Sequence, residues 1–126
     1  MAKAVLDAVL DAAWNEIRNN CTRMTACAGQ PTTFTQANAT FALADVTMAS
    51  GDFTIADGDT SGRKITVAAK SGVLVDASGT ADHIALLDVA GSRLLYVTTC
   101  TALALVANGA NTVNFPSWKA EIGDPT

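Results

Sequence analysis

Near the start of the chain, apolar residues recur at helical spacing. Leu6, Leu10, Ala13 and Ile17 follow one another at intervals of four, three and four, and Val5, Val9 and Trp14 widen the same stripe. The pattern predicts an amphipathic helix from Lys3 to about Asn20, with Asp7, Asp11, Asn15 and Arg18 on a wet face and Asn19-Asn20 as its stop. The two aspartates lie toward the positive end of the helix dipole and Arg18 toward the negative end, so the charge order supports the assignment. Trp14, at the edge of the stripe, is the expected anchor.

From Thr22 to Thr40 large apolar residues are sparse (Met24, Phe34), Gly29-Gln30-Pro31 signals a turn, and Thr, Ala, Gln and Asn dominate. This composition predicts a connector, and a connector so long suits an arm that lies on a neighbouring subunit. After Thr40 the period becomes two. Phe41 and Leu43, Val46 and Met48, and Phe53 and Ile55 form short alternating pieces. Lys64 to Lys70 places Ile65, Val67 and Ala69 on one face. Ser71-Gly72 then predicts a hairpin turn answered by Val73 to Val75, and Ala77 to Thr80 turns the chain again, which together describe a meander. Ala81 to Val89, Arg93 to Leu105 and Thr112 to Ile122 repeat the scheme, with turns at Ala90-Gly91-Ser92 and Asn108 to Asn111 and a bend or edge at Pro116. No internal repeat is visible. The expected fold is mainly β, an antiparallel β-sandwich or barrel of about seven to eight short strands with one N-terminal amphipathic helix. Residues 1–40 would supply the helix and extended arm, and residues 41–126 the β-domain.

Length and composition agree with one folded domain: 126 residues, 49% apolar and 16% charged. The formal charge is −4, and basic residues are scattered apart from Arg63-Lys64, so no phosphate-tracking stripe forms and nucleic acid is not an expected partner. Asp7 and Asp11 interrupt the apolar run that starts at Ala4 before it reaches signal-peptide length, so the N-terminus is expected to be kept. The most apolar window, Leu94 to Ala107, is broken by Thr98, Thr99 and Thr101, and no stretch is long enough for a membrane-spanning helix.

Three cysteines leave one over if a bridge forms, which argues against a secreted disulfide framework. Cys100 is expected to be a small buried hydrophobe on a strand. Cys21 and Cys27, at a loop or helix end, are candidates to pair with each other or with a neighbouring subunit under oxidising conditions.

Catalytic chemistry finds little support. The single histidine, His83, stands in an alternating strand where Asp82 would point to the opposite face, a poor arrangement for a triad. No nucleophile elbow, phosphate-binding loop or dinucleotide fingerprint occurs, and no zinc set can be assembled. Asp57, Asp59 and Ser61 alternate before Gly62 like the first half of a calcium loop. The position for a closing glutamate is Ala68, and a plain turn is the simpler reading. Asn20-Cys21-Thr22 and Asn38-Ala39-Thr40 match the glycosylation sequon without a signal peptide to route them. Phe115, Trp118 and Tyr96 offer the elements of a sugar-stacking platform, but alternation makes Phe115 and Trp118 ordinary core or interface anchors. Neither an enzyme nor a cofactor is expected.

The segments Ala81-Asp-His-Ile-Ala-Leu-Leu-Asp88, Ser92-Arg-Leu-Leu-Tyr-Val-Thr-Thr-Cys-Thr101 and Asn111 to Pro125, together with the N-terminal helix, resemble small structural proteins of tailed bacteriophages. That resemblance covers most of the chain through pattern and turn placement. It implies a protein made in the host bacterial cytoplasm and carried in many copies on the virion, decorating the capsid or dressing the neck, collar or tail. The implied partners are other virion proteins and further copies of the chain, without nucleic acid or membrane. Low charge, the helix stripe and the arm suit repeated packing, with Leu6, Leu10, Trp14, Ile17 and Phe34 as the expected contact residues.

Overall fold

The structure, a computed structural model, describes residues 3–125. Helix α1 runs Asp7–Asn20, four residues later than the Lys3 start the periodicity suggests. No side chain caps its N-terminus, and Leu6 ahead of it is extended. The C-terminus is closed by Cys21 N–H donating to the Ile17 carbonyl, 2.8 Å, and Asn20 Nδ2 donating to the Glu16 carbonyl, 2.8 Å.

Among the described residues nine strands follow: β1 Arg23–Cys27, β2 Ala42–Thr47, β3 Phe53–Asp57, β4 Arg63–Val67, β5 Lys70–Leu74, β6 Gly79–Asp88, β7 Arg93–Leu105, β8 Thr112–Phe115 and β9 Trp118–Ile122. All pairings are antiparallel. They form a four-stranded sheet in the order β2-β1-β6-β7, a three-stranded sheet β3-β4-β9 and a two-stranded sheet β5-β8. An isolated bridge between Ala44 and Val75 ties β2 to β5. The protein is thus mainly β with one N-terminal helix, and its sheets do not close into a barrel.

Three expectations are corrected. The Thr22–Thr40 connector contains β1, which sits between β2 and β6 at the centre of the largest sheet. No boundary therefore falls at residue 40. Met24 and Ala26 of β1 join the main core, whereas Cys27 joins a second, smaller cluster on the other face with Ala85 and Leu87 of β6. A strand covered on both faces shows no polar alternation, so it escaped the period-two pattern. The second cluster is roofed by residues 34–41, which include a single π-helical turn, Gln36–Thr40. Phe34 and Phe41 pack there on the chain's own sheet. The arm is folded back.

The second correction concerns Ser71-Gly72, which is not a hairpin turn. It lies within β5, where the register with β8 shifts between Lys70 and Val73, and Gly72 takes φ +67 in that irregularity. Strands β4 and β5 belong to different sheets, so no meander exists there. The third concerns Asp11, placed on the wet face by pattern but turned onto the body of the protein, where it pairs with Arg63.

The main core joins the layers: Trp14 and Ile17 from α1, Met24 and Leu86 from the four-stranded sheet, Phe53, Ile65 and Val67 from the three-stranded sheet, and Val73 and Phe115 from β5-β8. Pro116 lies at the bend between β8 and β9, where no ladder hydrogen bond is demanded of it.

Candidate functional site

Arg63, the first residue of β4, fastens the helix to the sheets. Its Nε donates to Asp11 Oδ1 at 2.8 Å, its Nη2 reaches Asp11 Oδ2 at 3.3 Å, and its Nη1 donates to Asp57 Oδ1 at 2.6 Å. Its carbonyl accepts from Trp14 Nε1 at 3.1 Å. The bonds to Asp11 and Asp57 hold the guanidinium firmly protonated. At the other end of α1, Arg93 bridges Glu16 (2.8 Å) and Asp88 (2.9 Å). Between these clamps, the Trp14 ring meets the Tyr96 ring edge-on at 6.3 Å, and Tyr96 stacks on Trp118 at 5.9 Å.

This docking decides which helix residues remain available to a partner. Trp14 is 4% exposed and Ile17 is buried, both in the chain's own core, and Leu10 is half-buried. Trp14 and Ile17, two of the expected contact residues, are thus used internally. Leu6, just ahead of α1, is by contrast 71% exposed and Val9 61% exposed, with Ala13 exposed one turn on, so an apolar ridge runs from the residue before α1 along the outer side of its first half. With Asp11 and Glu16 of α1 held by Arg63 and Arg93, Val9 and Ala13 face outward.

A second apolar surface, which the sequence did not single out, lies at the far end of β7. Leu103 is 53% exposed, Val106 59% and, on β5, Leu74 47%. Beside them β7 and β8 border an apolar cleft of about 310 Å³ lined by Ile84, Leu103, Val113 and Phe115 among others. Its only foretaste in the sequence is the length and apolar character of the Leu94 to Ala107 window.

The candidates for chemistry are placed as follows. Asp57 is bound to Arg63, Asp59 is bound to Lys64 (2.7 Å) and to Lys119, and Ser61 Oγ accepts from Asp124 N–H at 3.1 Å. The half calcium loop is the β3–β4 connection, and its carboxylates are engaged by basic side chains. Among the described residues no group of three or more His, Cys, Asp or Glu side chains is placed to hold a metal.

His83 departs from expectation. Its Nδ1 lies 2.8 Å from Asp82 Oδ1, although neighbours on a regular strand diverge. The β6–β7 register shifts between Ala81 and His83, and that irregularity brings the two side chains together. Asp82 also accepts from Gly29 N–H at 2.8 Å, pinning the turn after β1. The bond from His83, then that from Gly29, hold the Asp82 carboxyl below the usual range. Gln30, His83, Val97, Thr98 and Thr99 line an open hollow of about 290 Å³. Among the described residues no hydroxyl or thiol hydrogen-bonds the imidazole, so a nucleophile–base pair is not assembled.

The three cysteines are unbridged. Cys21 follows the helix and is buried, and burial pushes its thiol up to about 11. Cys27, expected at a loop or helix end, lies buried in β1, and Cys100 is half-buried on β7 rather than fully enclosed. Phe115 is buried in the core, and Tyr96 and Trp118 use faces on each other, leaving no open three-ring platform.

No known protein family, curated protein or solved structure matches this chain.

Proposed function

We propose that the protein is a non-enzymatic structural subunit of a tailed-bacteriophage virion, made in the host cytoplasm, which binds the capsid surface in many copies and stabilises it. The observation that carries the reading is the pair of exposed apolar surfaces, Leu6 with Val9 at the start of α1 and Leu103 with Val106 at the end of β7, neither of which belongs to the buried core. Single exposed apolar side chains are ordinary, but a ridge at helical spacing and a second patch beside an open cleft are the kind of surface that contact with other subunits covers. Stabilisation would be mechanical: apolar area buried across joints between subunits, with no turnover.

Light scattering of the purified chain, alone and mixed with particles stripped of it, tests this. Saturable, stoichiometric rebinding is the expected result, weakened when Leu6→Asp and Val9→Lys are combined. Failure to bind any virion component would sink the proposal.

A further inference from the structure

The turn between β7 and β8 holds Asn108-Gly109, and of the seven asparagines in the chain Asn108 alone is followed by glycine. A backbone N–H beside a side-chain amide can close a succinimide ring on it. Glycine permits this best, because it has no Cβ to stand between the two groups and its backbone turns freely. Residues 108–112 are all exposed, so water and hydroxide reach the turn. Gly109 takes φ +83, and a Cβ built there would meet nothing within 4 Å, which leaves the approach unobstructed. Among the described residues no hydrogen bond engages the Gly109 N–H or Asn108 Nδ2.

The fold also prepares the group to be attacked. Asn108 Oδ1 accepts from Ala110 N–H at 2.9 Å and from Asn111 N–H at 2.8 Å. Two donors on a carbonyl oxygen draw electron density from its carbon, and they stand where negative charge would gather if a nucleophile added there. No other position combines these features. Asn15, Asn19 and Asn20 lie in α1, where helical hydrogen bonds take the next N–H, that of Cys21 going to the Ile17 carbonyl. Asn38 is followed by Ala39 inside the π-helical turn, and Asn114 by the buried Phe115 in β8. Asn111 precedes the β-branched Thr112, and its Nδ2, the group that would leave, donates to the Val106 carbonyl at 2.9 Å. The comparable Asp57-Gly58 pair is closed on both sides. Arg63 holds the Asp57 carboxylate at 2.6 Å, and Gly58 N–H donates to the Gly62 carbonyl at 2.9 Å.

We infer that Asn108 is a self-modification site, the position at which this protein converts asparagine to aspartate or isoaspartate while folded. The step consumes only water and hydroxide. Hydroxide removes the Gly109 N–H proton, the nitrogen's electron pair forms a bond to Asn108 Cγ, and the charge passes to Oδ1 against its two donors. The Cγ–Nδ2 bond then breaks, and the amide departs as ammonia with a proton from water. Water next adds to either carbonyl of the succinimide and opens it, giving aspartate or isoaspartate; nothing is oxidised or reduced. The product alters the surface. A carboxylate at position 108 is the first charge between Leu94 and Trp118, and it arises beside Val106, which is 59% exposed. The isoaspartate form also lengthens the backbone within the turn. This chemistry is independent of the virion reading, and its outcome leaves that reading untouched.

The test ages the folded full chain at mildly alkaline pH, with a guanidinium-unfolded sample beside it, and follows both by peptide mapping with mass spectrometry. Each conversion raises the peptide mass by about one dalton and adds a negative charge that isoelectric focusing resolves. The folded chain is expected to convert first at Asn108, to a mixture of aspartate and isoaspartate, while the other asparagines and Asp57 stay unchanged. Gly109→Ala is expected to slow the conversion at least about tenfold. Because alanine is strained at that φ, Asn108→Ser is the second variant. It keeps a side-chain oxygen for the two N–H donors, and its charge should stay constant on ageing. First conversion at another residue overturns the proposal, as does an Asn108 that is still intact in the folded chain once the unfolded chain has converted. An acidic shift that persists in Asn108→Ser, or a Gly109→Ala chain that converts as fast as the wild type, overturns it equally.

Discussion

Trp14 is the residue on which the attachment of the helix can be tested most directly. Its ring is 4% exposed, its Nε1 donates to the Arg63 carbonyl at 3.1 Å, and its edge meets Tyr96 at 6.3 Å. Replacing it by phenylalanine keeps most of the ring contact and removes the hydrogen bond, which costs about 1–2 kcal/mol when the smaller ring is included. Replacing it by alanine removes the ring, opens a cavity between α1 and the sheets and forfeits the aromatic pair, at a cost of about 3–5 kcal/mol. For a domain whose whole stability is of order 5–15 kcal/mol, the alanine change should lower the melting temperature by roughly 10–20 °C. Urea titrations followed by far-ultraviolet circular dichroism measure both, and an unchanged slope would show that the unfolded states are comparable. The reasoning fails if Trp14→Ala costs less than about 1 kcal/mol, or if the two variants cost the same, because either result would mean that the ring is not buried between helix and sheet.

Other expected outcomes follow from single features. Gly62 has φ +68, and a Cβ there would run into the Ile122 carbonyl, so Gly62→Ala should be destabilised by about 1–3 kcal/mol, detectable by thermal melting, whereas Gly51→Ala, with open space, should change stability little. Asp82 and Asp88 are held below the usual carboxylate range, Asp82 by His83 and then Gly29 N–H, Asp88 by Gly91 N–H and then Arg93. A depressed folded value gives stability that is present above the unfolded carboxylate range and lost as pH falls through the folded value, so melting temperature should hold near neutrality and drop below about pH 4. Asp76 is shifted the other way, by burial first and then by the neighbouring Asp45 carboxylate. Its charged form therefore costs stability at neutral pH, and Asp76→Asn should melt higher than the wild type at pH 7, with the advantage shrinking as pH falls through the carboxylate range; a lower melting temperature at pH 7 refutes this. In thiol labelling of the folded protein read by mass spectrometry, Cys100 should be modified first and Cys21 and Cys27 only after unfolding.

Local pattern carried the helix and the positions of most strands because each of those segments buries one face and wets the other. Strand β7 was legible to the residue, Arg93 to Leu105, since a polar turn bounds it on each side. Strand β1 was hidden because Met24-Thr25-Ala26-Cys27 is buried throughout and, Met24 apart, made of small residues with no alternation to reveal it. Gly72 misled because glycine marks both turns and bulges, and only pairing with β8 distinguishes them. The role of Asp11 depends on Arg63, fifty-two positions away, and that of Asp82 on a ladder irregularity; neither leaves a local trace. The exposed apolar surface of the helix was half legible for the same reason. The stripe from Leu6 to Ile17 was visible, but which of its members face outward follows from how the helix docks on residues far along the chain, Arg63 and Arg93 among them. The β7–β8 cleft arises from strand order, which a run of short antiparallel strands does not disclose.

The order of the strands also fixes when the molecule can finish folding. Strand β1 needs β6, some sixty residues later, and β4 needs β9, whose last residue is Ile122. While a ribosome is still adding the second half, the early strands have open edges and the helix has no complete floor, and pairing across such separations is slow to nucleate. A chain cut short before Trp118 would leave β4 exposed along one side. Strand β9 therefore decides whether the three-stranded sheet closes: chains cut short before it should be more prone to proteolysis and aggregation than chains that contain it.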